Sequence, residues 1–364
     1  MNYTAENYNL NFQEKMYFNT ALTSFLLLLG LAGNSVILYF YACRMPRTEN
    51  RYFIPYLALA DLLACICGGS FALIINFYSL TFHWDFLCKG LCFSTAFTSS
   101  YSAAMLLVIA VNRYLKVCRT NGHQLTGRTR KIVLLFVLTI SIITKLPMLF
   151  LMGRIEGSVE YNGIEINVTS CGVIKDRFGT YAKLYFFSEY TLIFLIMIFT
   201  VALYILIGIT IYNRFNSIRS SKPTTKGLAM STSILSEDVG GVDKSSETKA
   251  TSTPNYTEAL QNVLDSSISR KKNSHRRRVR HNFTSMFVTI VIFYIMSYLP
   301  TFVLVIVPSK NPFRFWFTLD DFSLNILVFL KRAFIVNHIV NPFVYGYFDL
   351  HFRSLFKKSL GICQ

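Results

Sequence analysis

A few charged side chains lie inside long apolar segments, where burying a charge is costly. Asp61 is a lone carboxylate in the middle of one such segment, and Arg113 ends another in which no charged residue separates it from Lys89. Charges retained in this setting mark sites of ion binding, pairing or signalling. Further candidates in later apolar segments are Lys145, Glu189, Lys331 and Arg332.

Enzymatic chemistry is not indicated by the sequence. It has no His/Cys cluster at metal-ligand spacing, no nucleophile motif and no glycine loop that would cradle a phosphate. A transporter or channel is a rival class, but the hydropathy pattern shows no internal repeat and no pair of broken segments. We therefore expect neither an enzyme nor a transporter or channel.

The composition is that of a membrane protein. Of the 364 residues, 52% are hydrophobic and 15% are charged, against about 25% charged residues in a typical soluble domain. The net charge of +17 would suit nucleic acid, but the basic residues cluster between apolar segments, as in loops kept in the cytoplasm. We expect an all-α membrane protein without a nucleic-acid partner.

Seven apolar segments are each long enough to cross a bilayer as a helix. We place them at about 18–43, 52–79, 88–114, 132–152, 181–212, 283–307 and 322–347. The chain then divides into an N-terminal segment (1–17), spans one to five (18–212), a basic third inner loop (213–281), spans six and seven (282–347) and a tail (348–364). The inner loop is predicted to be disordered, and the Phe and Lys/Arg pattern of the tail predicts an amphipathic helix on the membrane surface.

The distribution of basic residues predicts the orientation of the chain. Basic loops follow spans one, three and five, and the tail is basic as well, so these segments should be cytoplasmic. With seven spans the N-terminus is then outside, in a multi-pass protein of the plasma membrane. Two glycosylation triplets, at Asn2 and Asn167, fall on that outer side.

Short motifs occur at set positions relative to the spans. They are Gly33-Asn34 in span one, Leu57-Ala58-Leu59-Ala60-Asp61 in span two, Cys88 and Asn112-Arg113-Tyr114 at the two ends of span three, Cys171 before span five, Leu299-Pro300 in span six, Asn341-Pro342-Phe343-Val344-Tyr345 in span seven and Phe352-Arg353 after it. With these motifs in this order, the chain resembles the rhodopsin-like (class A) G-protein-coupled receptors over nearly its whole length. The resemblance implies a seven-transmembrane helix bundle with a short amphipathic surface helix after the seventh span.

The resemblance also implies a mechanism. An extracellular ligand would rearrange spans five to seven and open an inner cavity for a heterotrimeric G protein, with prolines acting as hinges because they remove a helix hydrogen bond. The residues implied in coupling and activation are Asn112, Arg113, Tyr114, Tyr204, Tyr298, Pro300, Asn341, Pro342 and Tyr345.

A disulfide between Cys88 and Cys171 is a further implication of the resemblance. Both cysteines fall on the oxidising outer side, where such a bond is chemically sensible. It would tie the second outer loop to span three, and two free thiols are the alternative.

The inner end of span three departs from the family pattern. An acidic residue usually precedes the arginine, but here the neighbour of Arg113 is Asn112, and the foot of span six is basic. We expect a weaker restraint on the inactive state and measurable basal signalling. The alternative is that Tyr204, Tyr345 and helix packing suffice.

The resemblance assigns no cofactor beyond an allosteric sodium ion. Ser102, Asn337 and Asn341 match family positions that share such an ion with Asp61, and oxygen ligands around a hard cation would offset the burial of the carboxylate. The alternative is a water-bonded or protonated Asp61 with a packing role only.

The ligand is constrained by comparison with family positions. Thr95 stands where receptors for amines carry aspartate, and Ile335 stands where opsins carry the lysine that binds retinal. The outer charges remain: Lys145 and Glu189 pair with each other or meet a ligand, and one of Lys331 and Arg332 should meet an anionic group. We favour a neuropeptide or other short peptide over a lipid or small anionic ligand, and a decoy receptor without G-protein coupling is a third reading.

The cytoplasmic segments suggest further partners. Serines of the third inner loop are candidate phosphorylation sites that arrestin would read, and the basic run before span six favours contact with anionic lipid, G protein or arrestin. Cys363 is a candidate for palmitoylation, with a plain free thiol as the alternative.

Overall fold

The structure is a computed structural model. It describes residues 4–46, 48–49, 51–119, 122, 124–161, 164–220, 284–304, 315–316 and 318–361. Asn2, Cys363 and most of the third inner loop (221–283) lie outside the described residues. The chain forms two compact units, Met1–Leu206 with Asn282–Gln364, and Ile207–His281.

The described residues contain six helices long and apolar enough to cross a membrane, and one bent pair of helices that makes a seventh span. The six helices are Tyr17–Arg44, Ile54–Phe77, Asp85–Val117, Gly127–Leu151, Gly179–Arg214 and Thr284–Leu304. The seventh is a pair of helices, Asp321–Lys331 and Phe334–Phe348, bent by 64° where they meet. The predicted membrane fold is confirmed, although the fifth-span helix runs from Lys175 to Ser220, beyond its predicted end at 212, because extending a helix gains one hydrogen bond for each residue fixed.

Side-chain caps define where several helices begin. Thr4, Thr126 and Asp320 each accept a hydrogen bond from the backbone N–H three residues later. Such caps satisfy donors that have no partner within the helix. The helix of span seven begins in this way, yet it breaks after Lys331 and resumes at Phe334, and its second part runs through Pro342. The marked bend therefore lies before the Asn-Pro motif and not at it.

Close packing of spans one and seven accounts for the glycine of the first motif. A Cβ at Gly33 would lie 3.0 Å from two ring carbons of Pro342, closer than carbon atoms normally pack. One residue further, the Asn34 amide donates to the backbone carbonyl oxygens of Gly30 (3.0 Å) and His338 (2.8 Å). The two motifs are thus joined directly.

An outer layer covers the ends of the spans. Residues Met152–Tyr161 (β1) and Ile164–Val173 (β2) form an antiparallel hairpin, which the sequence analysis did not predict. The N-terminal segment contains a helix, Ala5–Lys15, also unpredicted, and its Phe12 packs in an apolar cluster with residues of the hairpin and of span seven. Asn9 connects this helix to the end of span two, because its amide donates to the Phe77 carbonyl oxygen (2.8 Å) and its side-chain oxygen accepts from the backbone N–H of Leu80 (3.0 Å).

The junction between span seven and the surface helix is held by one buried carboxylate. Asp349 precedes the helix Leu350–Ser359 and caps it by accepting from the backbone N–H groups of His351 (3.0 Å) and Phe352 (3.2 Å). The same carboxylate accepts from Arg51 of the first inner loop (2.9 and 3.0 Å) and from the Tyr41 hydroxyl (2.8 Å). Burial raises the pKa of Asp349, but the hydrogen bonds and charge of Arg51 outweigh burial and hold that pKa below its usual value.

We expect Asp349→Asn to destabilise the protein by about 2 kcal/mol, because a charged acceptor of several buried donors is lost. Thermal unfolding of the purified protein in detergent measures this change. Since the pKa of Asp349 is lowered in the fold, its stabilisation is complete at neutral pH. The difference from the native chain should shrink only as the pH falls below about 4.

Asp320→Asn is the matched control, since asparagine caps a helix as well as aspartate does and position 320 is exposed. It should leave the unfolding midpoint unchanged. An equal loss in both variants would show that the ion pair with Arg51 contributes nothing beyond the cap.

Candidate functional site

The disulfide and hairpin close the outer side of span three. Cys88 and Cys171 are bonded, as predicted, and Cys171 lies on β2 opposite Arg154. The free thiol of Cys92, one helical turn below Cys88, is buried 3.8 Å from the Cys171 sulfur. Asn167 is exposed on β2, as a glycosylation site requires.

A polar layer crosses the middle of the bundle around Asp61. This side chain is 0% exposed. The Ser102 hydroxyl donates to its Oδ1 (2.7 Å), and the Asn341 amide donates to its Oδ2 (2.5 Å). Two members of the predicted sodium set therefore contact the carboxylate directly, while the side chain of Asn337 is buried without a hydrogen bond in the described structure.

His338 is a member of this layer that the sequence analysis overlooked. Its Nδ1 lies 2.8 Å from Asp61 Oδ1, and its Nε2 lies 3.4 Å from the Ser99 hydroxyl oxygen. The ring is 1% exposed. A titratable ring within an apolar span was the signal available in the sequence, since polar groups at such depth must find partners.

The inner end of span three packs against span six. The Arg113 side chain is buried, and its guanidinium carbon lies 4.7 Å from the centre of the Phe287 ring. This is cation–π geometry, in which the ring face attracts the charge. Phe287 was not predicted, because nothing in its local sequence pattern separates it from the other apolar residues of span six.

The remaining residues implied in activation are mostly buried. Asn112, Tyr204, Tyr298 and Tyr345 are buried, whereas Tyr114 is partly exposed. In the described structure the hydroxyls of Tyr298 and Tyr345 have no hydrogen-bond partner.

An acidic residue does reach the inner face, from the first inner loop. Glu49 pairs with Lys116 of span three (3.3 Å) and Arg130 of span four (3.1 Å). The hydrogen bond from Arg130 and the charge of Lys116 lower the pKa of Glu49. Because the Glu49 side chain is 67% exposed, water screens these pairs, and each contributes little to stability.

The outer charges divide into paired and accessible groups. Lys145 of span four and Glu189 of span five form an ion pair with both side chains largely buried, which is the arrangement offered above as the alternative to ligand contact. The Arg332 guanidinium turns to spans one and two, donating to the amide oxygens of Asn76 (2.7 Å) and Asn19 (3.1 Å). Lys331 is exposed, and its ammonium lies 4.9 Å from the centre of the Trp316 ring. Thr95, the remaining member of the predicted pocket, is partly buried.

The class of this protein follows from three features. These are the seven spans, the outer loop joined to span three by a disulfide, and the buried arginine at the inner end of span three. Residues 33–345 match the family described as "7 transmembrane receptor (rhodopsin family)". The chain therefore belongs to the rhodopsin family of seven-transmembrane receptors, and it is a multi-pass membrane receptor. This family is one of receptors and not of enzymes.

Individual proteins agree with this assignment. The chain is 24% identical to neuropeptide receptor npr-1 of Caenorhabditis elegans over 344 residues, 92% of this chain and 70% of that receptor. It is 37% identical to human lysophosphatidic acid receptor 4 over 123 residues, 32% of this chain and 31% of that receptor. In fold it is similar to squid rhodopsin, with a TM-score of 0.65 at 15% identity, covering 96% of this chain and 86% of that one.

The pairing of Lys145 with Glu189 predicts a pattern of stability changes. Glu189→Gln should destabilise the protein by about 3 kcal/mol, because it leaves a buried ammonium without its counter-charge. The double variant Lys145→Met/Glu189→Leu should regain most of that stability, since apolar residues of similar size remove both charges together. Thermal unfolding in detergent measures both variants, and a double variant no more stable than the single one would argue against a structural pair.

Proposed function

We propose that this chain is a cell-surface receptor of the plasma membrane, with its N-terminus outside, that activates a heterotrimeric G protein when an extracellular ligand binds. The observation that carries the proposal is the contact of Arg113 with Phe287, which joins the inner ends of spans three and six. In the resting receptor this contact holds span six inward. Ligand binding moves span six outward, breaks the contact and exposes Arg113 to the G protein.

Span six contains the hinge that this movement needs. Pro300 lies thirteen positions after Phe287 in the helix Thr284–Leu304. Proline removes a backbone hydrogen bond from a helix, so the helix bends more easily at that point. Bending at Pro300 would displace the inner end of the span while its outer end stays against the ligand.

We propose a short peptide, of the neuropeptide type, as the ligand. The support is the similarity to the neuropeptide receptor npr-1 over 92% of this chain, together with an outer hairpin, held to span three by Cys88–Cys171, that can cover a bound peptide. Lys331 is an exposed basic residue that can meet an anionic group of that peptide, whereas the Arg332 side chain is engaged by Asn19 and Asn76.

A lipid acid is the second candidate ligand. It is favoured by the similarity of a third of the chain to lysophosphatidic acid receptor 4. A phosphate or carboxylate headgroup would bind Lys331 as well as a peptide carboxylate does.

We propose two further partners. Arrestin would bind phosphorylated serines of the third inner loop, and anionic lipids would contact the surface helix. A decoy receptor that binds ligand without coupling is the outcome that a silent signalling assay would favour.

Substitutions at the contact between spans three and six test the coupling mechanism. Phe287→Leu keeps an apolar side chain but removes the ring face, so we expect about a two- to tenfold rise in ligand-free signalling. Arg113→Ala should abolish basal and ligand-evoked signals alike. The measurements are cyclic AMP, calcium and arrestin recruitment in cells matched for surface expression.

Phe287→Tyr is the control for this experiment, because it retains the ring and should signal as the native chain does. Unchanged basal signalling in Phe287→Leu would exclude this contact as the inactive-state restraint. Full signalling by Arg113→Ala would argue against coupling through that arginine.

The two adjacent basic residues of span seven should differ in effect. Lys331→Gln should lower the potency of an activating ligand at least about tenfold, because a charge-assisted contact is lost, with only a small loss of stability from the contact with Trp316. Arg332→Gln should instead lower the unfolding midpoint, since the guanidinium connects spans one, two and seven. A peptide library and a panel of lysophospholipids identify the ligand class, and a potency loss confined to Arg332→Gln would reverse the assignment.

A further inference from the structure

The carboxylate of Asp61 is fully enclosed, and the surrounding groups determine what can neutralise or bond it. A buried carboxylate without partners is very costly, so the cation or the hydrogen-bond donors must be found within the bundle. The family resemblance implies a sodium ion at this point. Whether the residues of this chain fit such an ion can be judged from the atoms that face Asp61.

In the described part of the chain, the atoms that contact the carboxylate oxygens are one hydroxyl oxygen, one ring nitrogen and one amide nitrogen. Asp61 Oδ1 accepts a hydrogen bond from the Ser102 hydroxyl and lies 2.8 Å from His338 Nδ1. Asp61 Oδ2 accepts a hydrogen bond from the Asn341 amide nitrogen. Sodium needs oxygen lone pairs, whereas N–H groups present partial positive charge to a cation. The imidazole ring stands beside Oδ1, at the distance where a bound cation would also have to lie.

The ring of His338 is held in this position from several sides. Its Nε2 lies 3.4 Å from the Ser99 hydroxyl oxygen, and its own backbone carbonyl accepts from the Asn34 amide (2.8 Å). The ring is 1% exposed, so it cannot swing into solvent without opening the bundle. The residues present therefore do not fit a sodium ion at Asp61.

The amide of Asn337 supports the same conclusion. Both its Oδ1 and its Nδ2 are buried without a hydrogen bond in the described structure. A cation would satisfy the oxygen alone, but a water molecule can both donate to the oxygen and accept from the nitrogen. The Oδ1 of Asn341 is likewise buried without a hydrogen bond in the described structure, and water can satisfy it as well, so this part of the layer is suited to water.

We infer that the imidazole of His338 takes the place of the sodium ion beside Asp61, so that the link between spans two, three and seven is made by the chain itself. The receptor is then insensitive to sodium. The Nδ1–H of His338 donates to the carboxylate, and no exchangeable ion joins or leaves the layer when the helices rearrange. This inference is independent of the ligand class and of G-protein coupling, and its test needs neither.

The experiment compares thermal unfolding of the full-length receptor, purified in detergent, in about 150 mM sodium chloride and in equal choline chloride at constant ionic strength. The native chain should show the same midpoint in both salts. His338→Ser replaces the ring by a smaller side chain with an oxygen lone pair. Its midpoint should become higher in sodium than in choline by roughly 3 °C or more, because an ion that binds only the folded state stabilises it.

The control is the double variant Asp61→Asn/His338→Ser, in which the gained sodium effect should vanish because the carboxylate is gone. A native chain that is itself stabilised by sodium, with the effect lost in Asp61→Asn, would overturn the inference. So would a folded His338→Ser variant that remains insensitive to sodium. If His338→Ser does not fold, His338→Asn supplies the same oxygen on a larger side chain, and the native-chain comparison alone still decides whether sodium binds.

Discussion

The burial of the Asp61 carboxylate is the constraint on which the middle of this bundle depends. A carboxylate in an apolar bundle requires donors from other helices, and here they come from span three through Ser102 and from span seven through His338 and Asn341. Spans two, three and seven are held in register by one side chain. Any rearrangement of span seven must keep or exchange these bonds, which couples the polar layer to helix movement.

The same need to compensate buried charge organises both ends of the molecule. Near the outer side Lys145 pairs with Glu189, and Arg332 finds two amide oxygens. On the inner side Arg51 and Asp349 join the first inner loop to the surface helix. Each of these groups is used for structure, so the charges that remain accessible, Lys331 above all, are the better candidates for contact with a ligand.

The two faces of the receptor are built from different interactions. The outer face is held by a covalent bond between Cys88 and Cys171 and by a hairpin packed on the N-terminal helix. The inner face is held by the contact of Arg113 with Phe287, by the ion pairs of the exposed Glu49 and by the buried pair of Arg51 with Asp349. Among these contacts the pairs of Glu49 contribute least to stability, because water screens them.

The sequence by itself determined the apolar spans from their length and the family resemblance from the order of its motifs. The pairing of Cys88 with Cys171 was an implication of that resemblance, and the structure shows the bond. The sequence also identified Asp61, Ser102, Asn341 and Arg113. Only the tertiary structure decided which further side chains meet them, namely His338 beside Asp61 and Phe287 against Arg113. It also decided between the two alternatives left open for Lys145, which pairs with Glu189. These partners lie far apart in the chain or face the right way only after the helices have rotated and packed against one another, so neither spacing nor periodicity can reveal them.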